Sequence, residues 1–368
     1  MNDKLNLIKS LQASQPGNIA IQCFDDDYYQ SLDATKQLRL LKCLNSGLEN
    51  PTSEVGCYAN LPTDYDELKP FFEAVLSRYH RVPIGTKHIN NWSLDSIEGL
   101  PGNGKLDLTE LGLPALSMRV RVGRNLANYP LPASMNLEQR VELENNMIEA
   151  FQQLIDHPKY GGGYFSLTPG SKNFINDNQY HALIKEHIMF KNMDEDSYLT
   201  AAGIAADWPH GRGCYISKDR GFIIWVGEED HLRIMCMEKG SVLNTVFDRL
   251  KNALDVINNI EGLTFATSKD FGIVTSCPTN LGTAMRASIH IPLPNLTAGG
   301  SDARAKQIAR PLGLSVRGIG GEHTPVGDDG TVDISPSARF CITEGEILAS
   351  LYQGIALLKA EEDQLTSS

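Results

Sequence analysis

Three separate segments of this chain alternate apolar and polar residues with a period of two, and each sets arginine on its polar side. In the first, Leu116, Met118, Val120 and Val122 alternate with Ser117, Arg119 and Arg121. In the second, Leu232, Ile234 and Cys236 alternate with Arg233, Met235 and Met237. In the third, Met285, Ala287, Ile289 and Ile291 alternate with Arg286, Ser288 and His290. Period two is the period of a strand with one covered face, so a sheet is required. Arginines projecting from several strands of one sheet repel one another unless an anion lies between them, and the guanidinium fork grips phosphate oxygens in pairs. The plainer alternative is that each arginine is solvated on an outer face. Spacing alone does not say whether the polar faces coincide.

The 368 residues suggest about two to three domains. With 41% hydrophobic and 21% charged residues, the composition is that of a globular protein and not of a disordered chain. Lys plus Arg is 33 against 45 Asp plus Glu, a net charge of −12. That balance disfavours a general binder of nucleic acid or anionic membrane. The longest apolar run, Phe222–Val226, is far short of a membrane span, and the first residues lack the apolar stretch of a secretory leader. Seven cysteines without a C-x-x-C spacing argue against a disulfide framework or a cysteine zinc site. A cytoplasmic setting is expected, with no nucleic-acid or membrane partner.

The fold class expected is α+β: a small all-helical N-terminal domain, then a larger domain with a mostly antiparallel sheet flanked by helices. Residues 1–95 read as the helical domain, 96–113 as a Gly/Pro-rich linker, and 114–363 as the catalytic domain. Apolar spacing predicts a helix over Thr63–His80, with capping-box starts at Thr63/Asp66 and Asp64/Glu67, and an earlier one over Ser31–Asn45 that stops at Gly47. Between them runs a polar loop, 49–60. Further helices are expected over Asn136–Asp156, Ser241–Glu261 and Thr343–Glu362, the last opened by a Thr343/Glu346 capping box. Phe222–Val226 and His231–Glu238 read as a hairpin around an acidic turn. Loops 49–60 and 315–326 are expected to be mobile.

Familiar nucleotide motifs are missing. Gly99-x-x-x-x-Gly104-Lys105 starts like a P-loop, but Leu106 stands where a hydroxyl must reach magnesium. No G-x-G-x-x-G, H-E-x-x-H or G-x-S-x-G occurs. Glu228, Glu229 and Asp230 crowd the hairpin turn, as solvated charges or as carboxylates aimed at a cation. Glu322 follows Gly320-Gly321, either as a plain loop charge or as a group that swings with a flexible loop. Cys277 precedes the Arg286 strand, either as an inert buried cysteine or as a thiol whose pKa is lowered by arginines and loop hydroxyls.

Together these segments carry a resemblance. Cys277-Pro278-Thr279-Asn280-Leu281-Gly282-Thr283, followed by Met285-Arg286-Ala287-Ser288, resembles the signature of the phosphagen (guanidino) kinases. Leu116–Arg121, Trp208–Gly213, Trp225–Arg233 and Arg317–Thr324 agree in order, so the likeness spans nearly the whole chain. The resemblance implies reversible transfer of the ATP γ-phosphoryl group to a guanidino nitrogen. ATP/ADP and Mg2+ are the implied cofactors, with the metal held through nucleotide phosphates and water and by no direct protein ligand. By the same resemblance, Arg119, Arg121, Arg233, Arg286 and Arg317 hold phosphates. Ser117, His187 and His290 contact the nucleotide, and Asp333 lies near its ribose or adenine. Glu229 and Glu322 clamp the guanidinium, Glu229 being the base, and Cys277 sits against it as a thiolate. That chemistry suits a reaction that needs charge neutralisation and in-line alignment more than covalent help.

The loop carrying Ser53, Val55, Gly56 and Tyr58 is implied to read the far end of the guanidine. Tyr58 and Glu322-His323-Thr324 resemble the arginine kinase branch, so L-arginine is the expected substrate. Gly320, Glu54 and the lack of an Asp–Arg pair between Thr52 and Asp196/Ser197 depart from that branch. Taurocyamine is the alternative acceptor. A protein-arginine kinase and a silent ATP or guanidine sensor are the remaining readings. Family members occur as monomers and oligomers, so an oligomer is possible.

Overall fold

The structure is a computed structural model that describes residues 2–14, 17–95, 97–319 and 324–366. Seven helices come first: α1 Asn2–Ser14, α2 Ile19–Cys23, α3 Asp26–Ser31, α4 Ala34–Cys43, α5 Asn45–Glu49, α6 Asp64–Glu67 and α7 Lys69–His80. Ten strands follow: β1 Leu116–Arg124, β2 Gly163–Ser166, β3 Gly213–Ile216, β4 Phe222–Val226, β5 Leu232–Gly240, β6 Thr267–Ser268, β7 Gly272–Ile273, β8 Met285–Pro292, β9 Leu314–Arg317 and β10 Thr331–Pro336. Among them lie α8 Leu137–Ala150, α9 Gln152–Ile155, α10 Asp177–Lys185, α11 Ser197–Ala202, α12 Leu243–Asn258, α13 Ala303–Ala309 and α14 Glu344–Thr366. Eight strands form one sheet in the order β2-β3-β4-β5-β1-β8-β10-β9. The pairings β2–β3, β3–β4, β1–β8, β8–β10 and β10–β9 are antiparallel. This is the expected α+β class: a helical N-terminal part, then an antiparallel sheet with helices.

The chain divides into two compact units. One comprises Met1–His88, Gly123–Ile234 and Asn258–Ala284; the other comprises Ile89–Val122, Met235–Ile257 and Met285–Ser368. In the first, Tyr65, Phe71, Phe72, Val75 and Leu76 are buried. In the second, the apolar faces of β8 and β10 pack on α14 through Ile289, Ile291, Val332, Ile334, Ile347, Leu351 and Ile355, all buried. This packing leaves the polar faces of β1, β8, β10 and β9 as the other side of the sheet, because strand side chains alternate.

Several sequence expectations need correction. The helix over Thr63–His80 is two helices broken at Leu68 (φ −110°), with Pro70 opening the second. Pro70 has no N–H to continue the first ladder. Thr63 makes no side-chain cap; the Asp64 carboxylate instead turns inward and accepts from the amides of Asn60 and Leu61. The earlier helix begins at Ala34, capped by Asp33, and the chain re-enters helix at α5, so Gly47 lies inside a helix and does not end one. The helix expected over 136–156 is interrupted at Phe151. The Thr343/Glu346 capping box is present in both directions. Loop 49–60 is strapped down: the Ile19, Ala20 and Gly47 amides donate to Glu54, Val55 and Gly56 carbonyls at 2.9, 2.8 and 3.0 Å. The segment expected as loop from 315 begins within β9.

Candidate active site

In the second unit, strand register decides what spacing could not. Arg121 stands directly opposite Arg286, and Arg119 opposite Ser288. Ser117 pairs with His290, His290 with Asp333, and Asp333 with Arg317. One polar face therefore carries Arg119, Arg121, Arg286 and Arg317 together with the carboxylate of Asp333. Directly opposed like charges destabilise a strand pair by up to about 1 kcal/mol. Asp333 relieves part of this: its carboxylate is paired with Arg286 and lies 3.3 Å from His290 Nε2. Burial raises the Asp333 carboxyl, but the His290 hydrogen bond and the Arg286 charge outweigh it and hold the group below its usual value. Arg119 Nη2 lies 3.1 Å from Met235 Sδ, and Arg317 Nε donates to Ser315 Oγ at 3.3 Å. The face is a preorganised cation array that fits a polyphosphate.

In the first unit, the acidic turn and the cysteine loop are built together. Gly227 adopts φ +74° and its amide donates to His231, closing the β4–β5 hairpin. Arg212, with no exposed surface, donates to the carbonyls of Gly227, Ile204, Ala206 and His210. Burial depresses its pKa to about 9. Asp230 is buried and accepts from Asn125 Nδ2 and from the Ser276 amide, both at 2.7 Å. Glu228 pairs with Arg233 at 2.9 Å, and the Arg233 guanidinium lies 5.3 Å over the Trp225 ring. Asn280 Nδ2 donates to Glu229 Oε1 at 3.1 Å, tying the turn to the Cys277 loop.

That loop is held at successive carbonyls. Tyr65 Oη donates to Thr275, the Ala59 amide to Ser276, Thr275 Oγ1 to Cys277, and His80 Nε2 lies 2.9 Å from the Pro278 carbonyl. Cys277 Sγ sits 3.1 Å from Thr279 Oγ1. The expected lowering of its pKa by arginines is not met. Burial pushes the thiol well up and the Glu229 charge adds to this, against the Thr279 hydrogen bonds. In the ligand-free protein burial therefore disfavours the thiolate. Tyr58 is likewise raised, by burial and then by Glu229. None of the seven cysteines forms a disulfide.

The structure thus brings Tyr58, Glu229 and Cys277 into one electrostatic neighbourhood, and Ser117, Arg119, Arg121, Arg286, His290, Arg317 and Asp333 onto one face. Ser53, Val55 and Gly56 lie in the strapped loop; Ser53 is buried and its hydroxyl has no hydrogen-bond partner. His187 belongs to the first unit, is exposed at φ +59°, and makes no described side-chain contact with another candidate. Glu322, like Gly320, lies outside the described residues. Sequence reasoning assigned no role to Asn280, Thr279, Asn125 or Arg212. Three of these stood in quoted motifs without a part, because their work is burial and hydrogen bonding, which spacing does not reveal. Among the described residues no group of three or more His, Cys, Asp or Glu is placed to hold a metal ion.

A cation array on a sheet face suits a polyphosphate, and a turn of carboxylates locked to a cysteine loop suits a cationic acceptor. Comparison with known proteins makes the class specific. Residues 142–365 match the ATP:guanido phosphotransferase C-terminal catalytic domain, and residues 16–77 the N-terminal domain. The chain belongs to the ATP:guanido phosphotransferase family. It is 38% identical to the arginine kinase of Limulus polyphemus over 328 residues, 88% of this chain and 85% of that one. It is 34% identical to the taurocyamine kinase of Schistosoma mansoni over 341 residues, 91% of this chain but only 43% of that protein. The structure of the duplicated S. mansoni taurocyamine kinase with bound transition-state-analogue components matches with TM-score 0.83 and 31% identity, covering 99% of this chain and 49% of that one. The chain thus spans about half the length of these duplicated relatives. A lombricine kinase structure matches with TM-score 0.81 at 27% identity, covering 97% of this chain and 96% of that one.

Proposed function

We propose that the chain reversibly transfers the γ-phosphoryl group of MgATP to a guanidino nitrogen, with L-arginine as the preferred acceptor. The observation that carries this reading is the direct opposition of Arg121 and Arg286, with Arg119 and Arg317 on the same face. Such an array calls for a polyanion, and a triphosphate is one. In this reading these four arginines and Arg233 neutralise the nucleotide phosphates and the moving phosphoryl group. Ser117, His187 and His290 contact the nucleotide. Asp333 keeps Arg286 and His290 oriented before the nucleotide arrives. Bound Mg2+ supplies further charge neutralisation on the phosphate oxygens, and those oxygens and water would hold it.

A guanidinium is a poor nucleophile because its lone pair is delocalised. Glu229 and Glu322 hold it in line, and Glu229 accepts its proton. The N–P bond forms as the bond from the γ-phosphorus to the β-bridging oxygen breaks, and ADP departs. The Glu229 carboxylate is ready for this role, since Asn280 already fixes one of its oxygens. Cys277, whose thiolate burial disfavours in the free protein, becomes easier to ionise once a guanidinium lies against it, because an opposite charge favours the thiolate.

Tyr58, half-buried and in the electrostatic neighbourhood of Glu229 and Cys277, supports arginine through its resemblance to that branch. Taurocyamine is the second reading, favoured by the likeness to the S. mansoni protein. A coupled ADP-release assay with L-arginine, taurocyamine, creatine, glycocyamine and lombricine tests both. Strong turnover is expected with L-arginine. Preference for another guanidine would move the substrate and keep the mechanism. Silence across the panel with ATP still bound would favour a sensor or a protein-arginine kinase.

A further inference from the structure

Loop 53–58 closes over one buried amide. Asn18 precedes α2 and has no exposed surface. Its Oδ1 accepts from the Ile21 amide at 3.2 Å, capping the helix, and its Nδ2 donates to the Gly47 carbonyl at 3.0 Å. Around it close the three backbone bonds already described, from Ile19, Ala20 and Gly47 to Glu54, Val55 and Gly56. Two glycines make room for it. A Cβ at Gly47 would lie 2.5 Å from Asn18 Nδ2 and 2.4 Å from the Gly56 carbonyl. A Cβ at Gly56, where φ is +79°, would lie 2.1 Å from Asn18 Oδ1. Glycine is a poor choice within helix α5 on propensity alone. Its presence there fits the need for α5 and the loop to approach each other across Asn18.

We propose that Asn18 is a positioning residue for substrate recognition: through Gly47 and Gly56 it fixes the backbone of Ser53–Tyr58 that reads the guanidine's far end. This rests on the guanidine kinase reading of that loop. Asn18 touches no reacting atom, so its effect belongs to acceptor binding and not to nucleotide binding or to the chemical step. The lock is also specific in shape. An amide supplies one acceptor for the helix and one donor for Gly47, and no other side chain of that length does both.

The test uses Asn18→Ser, which keeps a capping oxygen but loses the reach to Gly47, and Gly47→Ala, which attacks the same contact from the other side. For each, KM for L-arginine, KM for MgATP and kcat are measured, together with hydrogen exchange of the 53–58 amides. Expected is a rise in the arginine KM of about tenfold with the MgATP KM within about twofold, the split that marks lost acceptor binding. Exchange should quicken at 53–58 ahead of the rest of the chain. Asn18→Asp, which keeps the cap but sets a carboxylate oxygen against the Gly47 carbonyl, should behave like the serine variant. Equal rises in both KM values, or a lower melting temperature with both KM values unchanged, would overturn the proposal. If the wild-type protein turns over no guanidine, the kinase reading has failed. The exchange measurement then decides alone whether Asn18 fixes this loop.

Discussion

At the scale of single residues, the site separates groups that face the ligands from groups that hold those groups still. Arg286 is of the first kind, and Arg286→Ala should lower kcat by on the order of a hundredfold or more, as for loss of one transition-state charge contact. Near-wild-type turnover would remove Arg286 from the reaction. Tyr58→Ala should raise KM for the guanidine and spare that for MgATP; equal effects on the two would contradict its assignment to the acceptor side. Arg212 is of the second kind. It supplies hydrogen bonds to four carbonyls, including that of Gly227 at the root of the acidic turn. Arg212→Met should destabilise the protein by on the order of 3 kcal/mol or more, since buried carbonyls would lose charged donors. A denaturation midpoint unchanged from wild type would show that water replaces those donors.

At the scale of elements, the strands were legible and the helix boundaries less so. Period two marked β1, β5 and β8 because each has one covered face. The hairpin was readable from two apolar runs around a charged turn. The breaks at Leu68 and Phe151 were hidden, because apolar spacing continues across them while the backbone does not. Gly47 misled for a physical reason: it reads as a helix stop, yet its lack of a Cβ serves a close approach inside α5. The arginines of the candidate site could be named from the chain, but their shared face needed the registers of β8 against β1 and β10 and of β10 against β9. Spacing could not choose between the two readings of Cys277, because the burial and the carboxylates across the fold that raise its thiol are not visible along the chain.

At the scale of the whole molecule, two buried histidines make a contribution to stability that should be lost as the medium becomes acidic. Burial holds His231 at a pKa of about 4, against 6.5 for an ordinary histidine; its Nδ1 accepts from the Leu126 amide and Nε2 lies 2.9 Å from the Pro130 carbonyl. His88 is likewise lowered to about 4, by burial and then by His80. Between these values the unfolded chain takes up protons that the folded chain refuses. Their contribution is therefore retained above pH 6.5 and lost toward pH 4, each proton adding a slope of about 1.4 kcal/mol per pH unit. His231→Asn should flatten the curve over that range; parallel curves for the two proteins would mean the imidazole titrates normally in the fold. The arginines of β1, β8 and β9 have a consequence of another sort. A fold that stores mutual repulsion in its own sheet is a thermometer for polyanions. Inorganic tripolyphosphate, carrying neither base nor sugar, should raise the melting temperature, by about 2.7 kcal/mol of added stability at a hundred times its dissociation constant. Adenosine alone should leave the melting temperature nearly where it was.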